Sequence, residues 1–337
     1  MTLRIGTRAS PQLKTLLLIK PGSFGDIIHA LPCAVALKDY FPEARITWLV
    51  DERWRSLLVD NPVVHETVTF PRENFRGLAG GLRSVPWALR LSSIRPDVAL
   101  DLQGLLRSAL MARLSRPKQS IGMADAREGA RWLYHNVACV RRGEHAVRRY
   151  LRALEVLGLP RIDKPVFSFP PGSPLEKPLL DQSFILLHPF ARGEGKSLSP
   201  EHVVEFCKTL QPLTVVVAGV GTIHDALPNN AVNLLNKTTI GQMISMVRLA
   251  TFVVSVDSGP MHLAAAINPE TLSIHTWSDP RLVGPFSSTA WIWQGGEIRR
   301  QDLEAPSLPP AQVPGIGHVV QIANFVKEFV PTRRLET

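Results

Sequence analysis

Hydrophobic and polar positions along this chain switch between two periods, and the whole pattern runs twice. Short apolar or β-branched runs at Leu16–Ile19, Arg45–Val50, Thr67–Phe70 and Val98–Leu102 predict strands in the first half. Phe184–His188, Thr214–Ala218, Phe252–Val256 and Leu272–His275 predict a second set. Between them, Asp26–Tyr40, Gly104–Leu114, Glu144–Leu157, Pro200–Leu210, Thr239–Ala250 and Pro260–Ala266 carry the spacing of one-sided helices. Strands alternating with helices predict parallel sheets with crossover helices, hence an α/β fold. The length of 337 residues exceeds what one core usually organises, so two domains are expected. Prolines and a glycine crowd residues 167–178, which read as the linker between domains at 15–166 and 179–316. Val319, Val320, Ile322, Ala323, Val326 and Val330 keep one apolar face, so 317–337 should be a last docking helix and a tail.

In doubly wound sheets, ligands bind beyond the carboxyl ends of the strands. Two such domains facing each other would enclose a cleft, and residues just after strands are therefore the candidates. Lys20-Pro-Gly-Ser-Phe-Gly-Asp26 follows the first strand and opens a helix. Its glycines permit a tight turn, and Asp26 reads either as an N-cap or as a general base aimed into the cleft. No Gly-Lys-Ser/Thr follows, which argues against a P-loop nucleotidase. Val254-Ser-Val-Asp-Ser-Gly-Pro-Met-His262 is again strand, turn and helix. Pro260 suits the first helical turn, and free N–H groups around Ser258–Met261 would bind an anion, with His262 as a further donor. The same segment also fits an ordinary capped helix with His262 packed. His188-Pro-Phe-Ala-Arg-Gly-Glu-Gly-Lys196 offers a lysine for a leaving phosphate, and Gly219-Val-Gly-Thr-Ile-His-Asp225 an acid for ribose hydroxyls.

Charge sharpens this picture. The chain carries a net +9, and residues 71–160 hold 16 Lys+Arg against 7 Asp+Glu, all but one of the cations being arginine. Arginine's planar fork suits carboxylate and phosphate oxygens, so this half is expected to meet an anion: a phosphorylated lipid or acidic sugar at a membrane surface, or nucleic acid. Aromatic residues are too sparse among those arginines for base stacking, which argues against nucleic acid. No apolar run approaches the ~18 residues that span a bilayer, and no secretory signal is evident, so cytoplasmic residence is expected. Cys33, Cys139 and Cys207 form no C-x-x-C pair and read as buried, reduced thiols. No D-x-D pair is present to hold Mg²⁺ or Mn²⁺ on a diphosphate, so no metal and no cofactor are expected.

Taken together, these segments resemble the bacterial lipopolysaccharide heptosyltransferases over nearly the whole chain from about Lys14 onward. The resemblance rests on Leu17-Ile-Lys-Pro-Gly-Ser-Phe-Gly-Asp-Ile-Ile-His-Ala-Leu-Pro32, Asp101-Leu-Gln-Gly-Leu105, Ile121-Gly-Met123, Ala126-Arg-Glu128, His145-Ala-Val147 and, most specifically, Val254–Ala265. It implies a GT-B architecture, two Rossmann-like doubly wound domains facing across a cleft. It implies an inverting, metal-independent transfer of heptose from ADP-heptose to Kdo (3-deoxy-D-manno-octulosonic acid) on the lipid A core. The middle segment is similar to the heptosyltransferase I branch. On that resemblance Asp26 and Lys196 are catalytic, and Ser23, Gly25, Asp225, Lys237, Thr238, Asp257, Ser258, Gly259 and His262 bind the donor. Arg72, Arg76 and Arg127 are expected to grip the anionic acceptor. A monomer attached peripherally to the inner face of the cytoplasmic membrane is implied. Ser197-Leu-Ser-Pro200, Ala266-Ile-Asn-Pro269 and Thr276-Trp-Ser-Asp-Pro280 depart from the family pattern on the donor side. A different nucleotide-sugar, a protein acceptor, or a non-catalytic nucleotide-binding protein are the alternatives. Leu3–Pro11 resembles the start of porphobilinogen deaminases over that stretch alone, so 1–14 read as an N-terminal extension, expected to be mobile.

Overall fold

A computed structural model describes residues 13–75, 77–175, 183–306 and 308–330. Most of the 1–14 extension thus lies outside the described residues, as does the end of the 167–178 linker. The first sheet has strand order β3-β2-β1-β4-β5-β6 and is parallel throughout. Its strands are β1 (Thr15–Ile19), β2 (Arg45–Asp51), β3 (Glu66–Phe70), β4 (Val98–Asp101), β5 (Gln119–Met123) and β6 (Asn136–Ala138). The second sheet has order β13-β12-β11-β10-β7-β8-β9, with only the β12–β13 pair antiparallel. It comprises β7 (Phe184–His188), β8 (Thr214–Gly219), β9 (Ala231–Leu235), β10 (Phe252–Val256), β11 (Thr271–Ile274), β12 (Trp291–Gln294) and β13 (Glu297–Arg300). In both sheets the order reverses between the first and fourth strands, at β1/β4 and at β7/β10. These reversals are the switch points where doubly wound sheets bind ligands.

Both faces of β1 are apolar because helices cover both. Leu16 and Leu18 face a large core beneath α1 (Phe24–Tyr40) and α4 (Ala146–Glu155), whereas Leu17 and Ile19 join a small cluster beneath α2 (Gly77–Ser93) and α3 (Leu106–Leu114). The helices of the second lobe are α5 (Pro200–Thr209), α6 (Ile240–Leu249), α7 (Gly259–Ile267), the single turn α8 (Pro280–Val283) and α9 (Ile316–Phe329). The last helix packs on α5 through Val319, Ile322, Ala323 and Val326, so it docks on the second lobe. The large core does not stop at the lobe boundary. It continues from α1 into Ile244, Val247, Leu263 and Ala264 of α6 and α7. Cys33 and Cys207 are buried as expected, but Cys139 is exposed because it directly follows the edge strand β6.

The described part of the proline-rich segment is held at both ends of its span. Asn61 Nδ2 donates to Ser168 O at 2.8 Å on the first lobe, while Arg248 donates to the carbonyls of Pro170 (2.9 Å) and Pro171 (3.1 Å) on the second. Ser245 Oγ donates to Ser173 O at 2.7 Å. The connection is thus tied to α6 by its own carbonyls, which proline leaves free to accept.

Candidate active site

The loop after β1 turns directly into α1 with Ser23 as N-cap and Asp26 at the third helical position. The two oxygens of Asp26 do different work. Its Oδ2 accepts from Ser23 N–H (2.9 Å) and from Ser23 Oγ (2.8 Å), the reach-back half of a capping box. Its Oδ1 faces the Tyr150 hydroxyl at 3.2 Å and the Lys20 ammonium at 3.8 Å. Lys20 is buried at the end of β1 and donates to Tyr150 Oη (2.8 Å) and Leu102 O (3.1 Å). Burial opposes ionisation of Asp26, but Lys20, the Ser23 donors and Tyr150 together hold its carboxyl below the usual range. Desolvation lowers the Lys20 ammonium from its ordinary value, against the pull of Asp26. The carboxylate side chain stays 38% exposed, so it is charged and reachable.

The second lobe answers with the turn after β10. Ser258 caps α7, Pro260 occupies its first turn, and Ser258 Oγ lies 3.3 Å from both Ser255 Oγ and His188 Nδ1. Asp257 is buried and accepts from Lys196 Nζ at 2.8 Å, while the same ammonium sits 4.4 Å above the Trp277 ring. Burial would raise the Asp257 carboxyl, yet His275, Lys196 and Ser278 bring it below its ordinary value. An ammonium has three protons and only one is spent on Asp257, so Lys196 keeps donors for a phosphate.

The two sites meet where α1 and α7 abut by their N-termini. A Cβ at Gly25 would stand 2.5 Å from the His262 ring and 3.6 Å from Gly259 Cα, and one at Gly259 would stand 2.5 Å from Phe24. Only glycine permits this approach. His262 is buried there, with Nδ1 3.0 Å from His29 Nε2, and both Asp26 and Lys196 act on its charge. Desolvation lowers His262 to about 4, so the ring is neutral near pH 7. His145 caps α4 by accepting from Val147 N–H, and its other ring nitrogen donates to Gly284 O of the second lobe at 3.1 Å. His262 is thus packed, and the first turn of α7, where an anion site is expected, begins at Ser258.

The remaining candidates line the carboxyl edges of the sheets. Along the second sheet, Lys237 and Thr238 follow β9, Asp225 follows β8, Lys196 follows β7 and Ser258 follows β10. Asn236 joins the first two loops, donating to Gly221 O (2.7 Å) and accepting from Gly221 N–H (3.2 Å). Asp225 and Lys237 are exposed. Along the first sheet, Arg72 follows β3 and Arg127 follows β5; both are exposed, and Arg127 lies near enough to Lys20 to depress it. Arg76 falls outside the described residues. Sequence reasoning missed Tyr150 and gave Lys20 no role. It also missed Trp54, whose ring takes Arg53 (5.7 Å) from its own lobe and Arg192 (5.5 Å) from the other. Among the described residues no group of three or more His, Cys, Asp or Glu is placed to hold a metal ion.

Known proteins share the fold and the family. The model of glycosyltransferase family 9 (heptosyltransferase) matches residues 87–197 and 216–308, more than half of the chain. Lipopolysaccharide heptosyltransferase 1 of Pseudomonas aeruginosa is 27% identical over 290 residues, covering 80% of this chain and 81% of that one. Lipopolysaccharide core heptosyltransferase OpsX of Haemophilus influenzae is 21% identical over 305 residues, covering 82% of each. Among solved structures, the E. coli heptosyltransferase WaaC with ADP superposes with a TM-score of 0.74 at 20% identity, covering 94% of this chain and 98% of that one. The likeness makes the two facing sheets a GT-B fold. With that fold and a matching family model, this chain belongs to glycosyltransferase family 9, the heptosyltransferases.

Proposed function

We propose that the protein transfers a heptose from ADP-heptose to Kdo of the lipid A core during lipopolysaccharide inner-core synthesis, with inversion and without a metal ion. In this reading Asp26 Oδ1 removes the proton of the acceptor hydroxyl as that oxygen attacks the anomeric carbon. The bond from that carbon to the diphosphate oxygen breaks, and ADP leaves with the electron pair toward Lys196 and the N–H groups of α7. One displacement from the face opposite the leaving group inverts the carbon. Asp225, Lys237 and Thr238 hold the nucleoside, and Arg72, Arg76 and Arg127 meet the acceptor's carboxylates and phosphates. The lipid acceptor implies work at the inner face of the cytoplasmic membrane as a peripherally bound monomer.

The observation that carries this reading is the pairing of a reachable carboxylate on one lobe with a phosphate-competent ammonium on the other, both acting on His262. Asp26 held below the usual carboxylate range is a weak base, which suits proton removal concerted with attack. The test is incubation with ADP-heptose and a Kdo-bearing lipid A acceptor in EDTA, following ADP release and the anomeric configuration of the product. Inverted product in EDTA is expected. Product that appears only with added metal, or with retained configuration, overturns the mechanism; ADP binding without turnover points to a non-catalytic relative.

A further inference from the structure

Helix α3 is built the wrong way round for a soluble surface. Its inward positions are the small or slender Ser108, Ala109, Met111 and Ala112, whereas Leu106, Leu110 and Leu114 point outward, 40%, 52% and 37% exposed. Those leucines recur every fourth residue and so share one face, between exposed Arg107 and Arg113. The 3₁₀ turn Ala130–Leu133 packs on α3 and carries Trp132, 77% exposed with Arg131 stacked on it at 4.6 Å. On the other flank, α2 presents Val85 and Leu89, also exposed.

We propose that this face docks on an anionic lipid bilayer, with the α3 leucines and Trp132 in the interfacial layer and the arginines on the headgroups. Two observations favour a membrane over a protein partner. Outward leucines alternating with arginines are the composition of an in-plane interfacial helix, and a solvent-facing tryptophan beside a guanidinium suits the headgroup level. Among the described residues Arg107, Arg113, Arg116 and Arg131 make no ion pair, so their charge is available to acidic headgroups. No helix of the described residues is long and apolar enough to cross a membrane, so contact would be at the surface. The face also adjoins the acceptor end of the cleft. α3 starts just beyond β4, Leu106 N–H donates to Glu128 at 3.1 Å, and Arg127 N–H donates to Gly104 O at 2.9 Å. Seating there would bring the Arg127 end of the cleft to the lipid surface. Only that last step rests on the lipid acceptor proposed above.

The experiment is flotation of the full chain with vesicles of phosphatidylcholine alone and with about one-third phosphatidylglycerol, without donor or acceptor. The wild type should float with anionic vesicles, and high salt should weaken it. The combined variant Leu106→Gln/Leu110→Gln/Leu114→Gln should bind about tenfold less or weaker still, and Arg107→Gln/Arg113→Gln should lose the preference for anionic lipid. The thermal unfolding midpoint checks that each variant is folded, and Trp132→Phe should remove a fluorescence blue shift seen on adding vesicles. Undiminished flotation of the leucine variant overturns the proposal. So does a wild-type dimer that the leucine variant converts to monomer, which would make the face a contact between copies. Failure of heptose transfer would leave the vesicle result standing, so the two readings fail separately.

Discussion

Each lobe places one aspartate–lysine pair at its switch point, but the two pairs are turned in opposite senses. On the first lobe the lysine is inside and the carboxylate outside: Lys20 is 3% exposed and Asp26 38%, at 3.8 Å. On the second the carboxylate is inside and the lysine outside: Asp257 is 8% exposed and Lys196 18%, at 2.8 Å. Chemistry in the cleft is set by whichever partner faces it. The first lobe thus presents a carboxylate and the second an ammonium, the base and the cation of the proposed reaction, although both are made from the same two residue types. The buried partner tunes and positions the exposed one, since a lone buried charge would be strongly disfavoured.

The largest test of this opposition is Asp26→Asn. It keeps the Ser23 cap in outline but removes the exposed base, and kcat should fall roughly 10²–10⁴-fold while ADP affinity is kept. A kcat within a few-fold of wild type would break the assignment of the base to the first lobe. Lys196→Met is expected to act in the other sense. Losing a charge-assisted contact and leaving Asp257 unpaired should weaken ADP binding, measured by calorimetry, about 10–100-fold. Unchanged ADP affinity would mean that the second pair is structural only.

Substituting the buried partner should be milder and visible mainly in pH dependence. Lys20 helps hold the Asp26 carboxyl low, so Lys20→Met should let it protonate at higher pH. The acid limb of kcat/KM should then move upward, with a loss at neutral pH smaller than about tenfold. An unmoved limb would separate Lys20 from Asp26. The smallest effect concerns stability. Burial lowers His145 to about 3 and His188, His262 and His275 to about 4. A histidine held below its unfolded value of 6.5 stays neutral in the folded chain while the unfolded chain takes up a proton. Its contribution is complete above that value and is lost as pH falls toward 4. Urea unfolding at about pH 5.5 should show a loss of about 1 kcal/mol for each such ring. His29, held well below its ordinary value too, packs on His145 and His262 where the lobes meet, so acid should loosen that seam first, read by hydrogen exchange.

Much of this was readable in the chain, for identifiable reasons. β7 and β10 have the predicted bounds because a continuous apolar run ends sharply at a loop. β5, β6 and β9 were missed because Gln119–Met123, Asn136–Ala138 and Ala231–Leu235 are short, polar in part and toward sheet edges. α2 was hidden by its own composition, since Gly77, Gly80, Gly81 and Pro86 read as breakers that tertiary packing overrides. In the candidate site, the placement of Asp26, Lys196 and Ser258 was legible because each lies in the loop or turn that follows a strand. Tyr150 was not: it reaches Lys20 across 130 residues from mid-helix, with no local motif. A lone lysine at a strand end also gives no sign, by itself, that it will be buried.

The abutting glycines have a mechanical meaning. Because main chain meets the opposite helix's side chain at Gly25 and again at Gly259, the floor of the cleft has no compressible layer. Approach of the lobes there ends at a hard stop. The gap between the Asp26 and Lys196 sides of the cleft is then fixed by atomic radii rather than by rotamer choice, and a single methyl at either position would act as a shim.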